Sequence, residues 1–146
     1  MKFKTLFLLS LLASCSKWPD WPGGKPKRIG QLLLQTGFNG TTVFDVQCSR
    51  RSDTVWMDCS EPGKYLQGWF VLKTIRDSTY PFDSTTGRIY ETTTPAVGYS
   101  VGYYWISKMS FVVDSAGSYH GNLWANPLWS GEWPIAGSFN LYIPAQ

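Results

Sequence analysis

From Gln31 onward, apolar and polar residues alternate in short runs, and turn-forming residues separate the runs. A period of two sends successive side chains to opposite faces of a strand, so each run can bury one face and leave the other wet. Eight segments fit this pattern: QLLLQT (31–36), TTVFDVQC (41–48), TVWMDC (54–59), LQGWFVLKTI (66–75), GRIYETT (87–93), YSVGYYWISKMSFVVD (99–114), SYHGNLWA (118–125) and SFNLYI (138–143). The sixth is long enough to bend or split. FNG, EPG, STTG, DSAG and NP punctuate them as turns. In DSAGS, Gly117 suits a position with positive φ in a three- to five-residue hairpin with a bulge, which pairs MSFVV with YHGNLW. No window of helical length carries a 3.6-residue period, and the Ser, Thr and Gly present depress helix formation. The pattern predicts an all-β domain, a single small antiparallel sandwich or barrel of about eight strands. It leaves sandwich and barrel open, because closure depends on whether the first and last strands meet.

The 146 residues fit one domain. Eight Trp, eight Tyr and eight Phe supply large side chains for a core or a binding surface. The net charge of +3 is unevenly placed. Lys2, Lys4, Lys17, Lys25, Lys27 and Arg28 face only Asp20, whereas the chain from Ile29 onward has seven basic and nine acidic residues, a net of −2. That body lacks the basic footprint of a nucleic-acid binder. No apolar run after residue 13 is long enough to span a bilayer as a helix.

The first residues have the layout of an export signal: basic MKFKT, apolar LFLLSLLA, then small residues. Leu12, Ala13, Ser14 and Cys15 resemble the lipobox of bacterial lipoproteins. The resemblance covers residues 1–15 alone. It implies a signal peptide over 1–14 and a thiol at Cys15 that receives a diacylglyceryl group. It also implies acylation of the new amine, so that two or three chains anchor the protein to a bilayer. Ser16 after that cysteine resembles outer-membrane sorting in enteric bacteria. The location this implies is the cell envelope, lipid-anchored at the outer membrane of a Gram-negative bacterium. Residues 15–28 then form a basic tether rich in Pro and Gly, and 29–146 form the β domain. Extended at ~3.1 Å per residue, such a tether reaches up to roughly 40 Å. Its cations suit anionic headgroups, and Trp18 and Trp21 suit either the membrane interface or the domain surface.

With Cys15 lipidated, Cys48 and Cys59 remain as a pair, and an even pair in an exported chain predicts a disulfide. If the two face each other across a hairpin, paired positions sum to 107, and a four-residue loop from Ser52 to Val55 is the expected turn. The alternative is a twisted loop whose disulfide staples two sheets.

Enzyme signatures are absent from the sequence, and no catalytic residue is assigned. His120 is the single histidine and reads as a strand surface residue. There is no phosphate-binding Gly-Lys-Ser/Thr loop, HExxH or CxxC. Glu91, Glu132, Asp83 and Asp114 are available to a glycosidase-type carboxylate pair, but nothing in their spacing pairs them. Asp77 and Asp83 in DSTYPFDSTTG make a weak calcium loop and a better solvated turn. No metal or cofactor is expected. Arg50 and Arg51 read as a solvated hairpin tip.

HGNLWANPLWSGEWP (120–134) carries the functional expectation. Trp124, Trp129 and Trp133, beside Asn126 and Glu132, suit glycan binding: rings stack on sugar C–H faces while the amide and acid take hydroxyls. They equally suit a protein interface. The competing expectation places Trp124 and Trp129 in the core with Trp133 capping one end. The sequence predicts a lipid-anchored, non-catalytic binding module for a glycan or envelope protein, or else a structural or enzyme-inhibitory envelope component. A carboxylate-based hydrolase ranks below both.

Overall fold

The computed structural model describes residues 28–36, 40–93, 100–129 and 132–146. Nine strands are present among them: β1 (Ile29–Thr36), β2 (Gly40–Arg51), β3 (Thr54–Glu61), β4 (Lys64–Val71), β5 (Ser78–Pro81), β6 (Gly87–Thr93), β7 (Ser100–Ser115), β8 (Ser118–Pro127) and β9 (Ile135–Tyr142). The described residues contain no helix.

Neighbouring strands pair antiparallel in the order β1-β2-β3-β4-β6-β7-β8-β9, and β9 returns to pair with β1. The sheet is therefore an eight-stranded closed barrel, and the sandwich alternative does not hold. β5 is the additional strand. It pairs with Lys108–Phe111 of β7, on the edge whose other half, Ser100–Trp105, pairs with β6. The long β7 stays continuous and turns the barrel wall at a bulge between Ile106 and Lys108. Ser107 sits in that bulge; its hydroxyl donates to the Trp124 carbonyl and its own carbonyl accepts from the Phe82 amide.

Closure rests on two glycines in the β1–β9 seam. A Cβ on Gly30 would strike the Asn140 carbonyl, and one on Gly137 would strike the Leu33 carbonyl. Without those carbons the two backbones come close enough to pair from Gln31–Asn140 to Gln35–Ala136.

An eight-stranded barrel has an interior just wide enough for side chains to fill. Here Leu32, Leu34, Phe44, Val46, Val55, Met57, Leu66, Phe70, Ile106, Met109, Leu123 and Leu141 point inward and are fully buried. Phe111 is a hub, its ring centroid 5.1 Å from that of Phe139 and 5.9 Å from that of Phe70. Taking the end with the β2–β3 and β7–β8 turns as the lower one, Phe82 and Ile75 cover the lower flank beside β5, where Phe82 meets Phe70 edge-on at 5.9 Å. The outer positions of β2 read Thr41, Val43, Asp45, Gln47, Ser49 and Arg51. The interior is thus apolar, and the outer face of β2 mostly polar.

The expected disulfide is not formed: Cys48 and Cys59 are free thiols. The β2–β3 hairpin turns at Ser52 and Asp53, with Ser52 at φ 53°, and its register places Cys48 opposite Met57. Paired positions sum to 105 rather than 107, so Cys59 lies one inward rung beyond Cys48. Diagonal neighbours of that kind sit roughly 7–8 Å apart, beyond the usual reach of a disulfide. Burial pushes both thiols up to about 12. The β7–β8 hairpin pairs as expected, from Met109–Leu123 to Val113–Tyr119, with a bulge before Ser115. Its loop is shorter than expected, Ala116 and Gly117 alone, and Gly117 takes φ 82°.

Candidate aromatic recognition face

The parity that fills the barrel decides which aromatics lie outside it. In β3, Val55, Met57 and Cys59 point inward, so Trp56 points out. The same alternation puts Trp69 of β4, Arg88 of β6 and Trp105 of β7 on the outer face. Register aligns them across the wall: Trp56 opposite Trp69, Trp69 opposite Arg88, Arg88 opposite Trp105, and Trp105 opposite Asn126 of β8. Five strands spaced about 4.8 Å apart give this row a span of roughly 19 Å.

A second row runs beside it, with Gln67 opposite Tyr90 and Tyr90 opposite Tyr103. Ring contacts join the rows into a patch. Trp56 and Trp69 lie 6.2 Å apart between centroids, Tyr65 and Tyr90 5.7 Å, and Tyr90 and Tyr103 4.6 Å. Tyr103 meets Trp129 edge-on at 6.4 Å, which brings the β8–β9 connection onto the same patch. A hollow of about 210 Å³ is lined by Trp56, Gln67, Trp69, Arg88, Tyr90 and Tyr103. Arg88 Nε donates to the Ser84 carbonyl at 2.7 Å, which steadies the side chain. Its terminal nitrogens make no hydrogen bond among the described residues and remain donors for a ligand.

The residues singled out in the sequence divide. Trp129 and Trp133 are each 64% exposed, which rules out the core reading for Trp129. Trp129 belongs to the aromatic patch, and Asn126 ends its long row. Trp124 is half-buried and faces outward from β8, where Lys108 Nζ lies 4.2 Å from its ring centroid. A cation already covers that ring. Cys15 lies outside the described residues. Trp56, Trp69, Arg88, Tyr90 and Tyr103 were not singled out, although the in–out parity of their strands is the signal that finds them.

Glu132 belongs to a different group. Glu91 points into the barrel from β6 and is 2% exposed. Desolvation raises its carboxyl to about 7, and the Glu132 charge adds to the rise. Glu132 reaches in from the β8–β9 connection, and its Oε2 is buried without a hydrogen-bond partner. Tyr104 shares this space: burial and the two glutamates push its phenol up to about 12. A Cβ on Gly102 would occupy the site of the Tyr104 ring. The two carboxylates left unpaired by spacing are therefore brought together by the fold, under the upper end of the barrel.

The remaining polar candidates serve local structure. Asp83 Oδ1 accepts from the Thr85 amide and from the hydroxyls of Thr85 and Thr86, which holds its carboxyl below the usual range. Asp77 Oδ1 accepts from the Val113 amide at 2.6 Å. His120 Nδ1 lies 2.7 Å from Asp114 Oδ1 across the β7–β8 hairpin. Arg50 is no solvated tip: its Nη2 donates to the carbonyls of Leu72 and Lys73 at 2.8 and 2.7 Å. Arg51 is exposed.

No family model matches this chain, and no curated protein or solved structure matches it.

The buried glutamate makes stability depend on pH. Unfolded, Glu91 releases its proton near 4.5; folded, it holds the proton to about 7. Within that window the folded state binds more protons, so stability falls as pH rises and levels off above the folded value. Glu91→Gln should flatten this slope and raise stability at pH 8 by on the order of 2 kcal/mol. Urea unfolding at pH 5 and pH 8 checks it, and parallel pH profiles for parent and variant would contradict it.

Proposed function

We propose that this chain is a bacterial envelope lipoprotein whose barrel wall binds a glycan without catalysis. The observation that carries the reading is the outward row Trp56–Trp69–Arg88–Trp105–Asn126, backed by the Tyr90–Tyr103–Trp129 contacts. Aromatic faces give apolar surface for sugar C–H groups, while Arg88, Gln67 and Asn126 give hydrogen-bond partners for hydroxyls or acidic substituents. The row lies across paired strands, so its spacing is held by backbone hydrogen bonds. Little ordering is then needed on binding.

The non-catalytic part of the reading rests on the environment of Glu91. Its burial keeps a glycosidic oxygen out of hydrogen-bond reach, and it points into the barrel rather than onto the aromatic face. The membrane part rests on LASC and on the tether that precedes β1. Acyl chains at Cys15 would hold the barrel by its lower end and leave the wall free to meet the cell wall.

Two measurements test the two parts. Cosedimentation with purified peptidoglycan should retain the parent protein. Trp56→Ala/Trp69→Ala should weaken retention about tenfold or more, while Trp124→Ala, off the patch, stays near parental. Equal retention of all three, or none by the parent, would sink the glycan reading. Mass spectrometry of membrane-extracted protein should find a mature chain that starts at acylated Cys15, and an unmodified cysteine there would sink the anchor.

A further inference from the structure

The lower end of the barrel holds a second hollow, of about 500 Å³, beside the point where the chain enters β1. Its inner wall includes Cys48 and Tyr119, which pack against the core, and Ile143, which is buried. Tyr142 and Ala145 form the outer wall, and Arg28 stands at the rim. The cavity is preformed, because segment 143–146 crosses the barrel end as a strap fixed at both ends. The Ile143 amide donates to the Gly117 carbonyl at 2.8 Å. Gln146 Nε2 donates to the Ser52 carbonyl at 3.0 Å and to Asp53 Oδ1 at 2.9 Å.

The chemistry of the hollow selects a class of ligand. Its volume falls in the range of small-molecule sites, about 300–1,000 Å³, and barrel mouths are a common place for them. The walls are mostly apolar. Among the described lining residues the one charged side chain is Arg28, whose guanidinium lies 5.5 Å from the Tyr142 ring centroid. Among the described residues no carboxylate forms an ion pair with Arg28. The Cys48 thiol stays protonated at neutral pH and adds no negative charge to the described wall. One cation at the rim of an apolar cavity matches a molecule with one negative head and an apolar tail.

We propose that this hollow binds a medium-length aliphatic carboxylate, with its head on Arg28 and its tail against Tyr119, Ile143 and Ala145. The site is separate from the aromatic face, and its occupancy does not depend on glycan binding.

Titration of the mature protein, including the residues before Arg28, with carboxyl-¹³C decanoate below its micelle concentration tests the assignment by NMR. The parent should show saturable one-site binding. Arg28→Gln should weaken decanoate about tenfold and leave decanol binding unchanged. Ala145→Trp, which fills the hollow, should remove both, with the circular dichroism of each variant matching the parent. Absence of saturable decanoate binding would overturn the proposal, as it would if an earlier part of the chain filled the hollow. Equal affinity for decanoate and decanol, no loss in Arg28→Gln, or undiminished binding in Ala145→Trp would each overturn it too.

Discussion

The close approach of β1 to β9 is the constraint on which the rest depends. An antiparallel sheet with one apolar and one polar face has two problems: its apolar face needs cover, and its edges carry unpaired backbone groups. Pairing the first strand with the last solves both at once. In this chain the pairing needs two positions without a Cβ, Gly30 and Gly137, because each faces a backbone carbonyl of the neighbouring strand at contact distance. Once the seam is closed, every strand has an inside and an outside, and the alternation in the sequence acquires a fixed meaning.

That meaning decides which side chains fill the lumen and which face outward. The barrel lumen is occupied by its own side chains, with the phenylalanines around Phe111 at the lower half and Met57, Leu66 and Ile89 higher up. Large aromatics in excess of what the lumen holds fall on the outer face, and register gathers them across β3, β4, β6 and β7. The exceptions to an apolar lumen lie at its two ends. The upper end holds Glu91, Glu132 and Tyr104, and there the desolvated Glu91 carboxyl couples folding to pH. The lower end holds the strapped hollow beside Arg28. The wall and the ends thus carry separate chemistries on one scaffold.

Much of this was legible in sequence. The segment predicted at 87–93 coincides with β6, and those at 31–36, 54–59 and 118–125 fall inside β1, β3 and β8. Alternation over several residues is a strong signal because burial of one face enforces it. β5 was missed because STYP is four residues long, includes proline and pairs on one side only. The cysteine pairing failed for a register reason: turn chemistry at Ser52–Asp53 moved every partner by two, which spacing alone does not reveal. The tryptophans of 120–134 were legible as a cluster because they are close in sequence. Those of β3, β4 and β7 are close only in space, and finding them needs the strand order. The Glu91–Glu132 pairing was invisible for the same reason, since one residue sits on β6 and the other on a distant connection.

The closure of the barrel is most directly tested by cross-strand nuclear Overhauser contacts in the isotopically labelled protein. The account predicts backbone contacts between β1 and β9 along the register from Gln31–Asn140 to Gln35–Ala136, together with those between β7 and β8. A spectrum that shows the β7–β8 contacts but none between β1 and β9 would mean an open sheet, and would contradict both the packed lumen and the outward aromatic face.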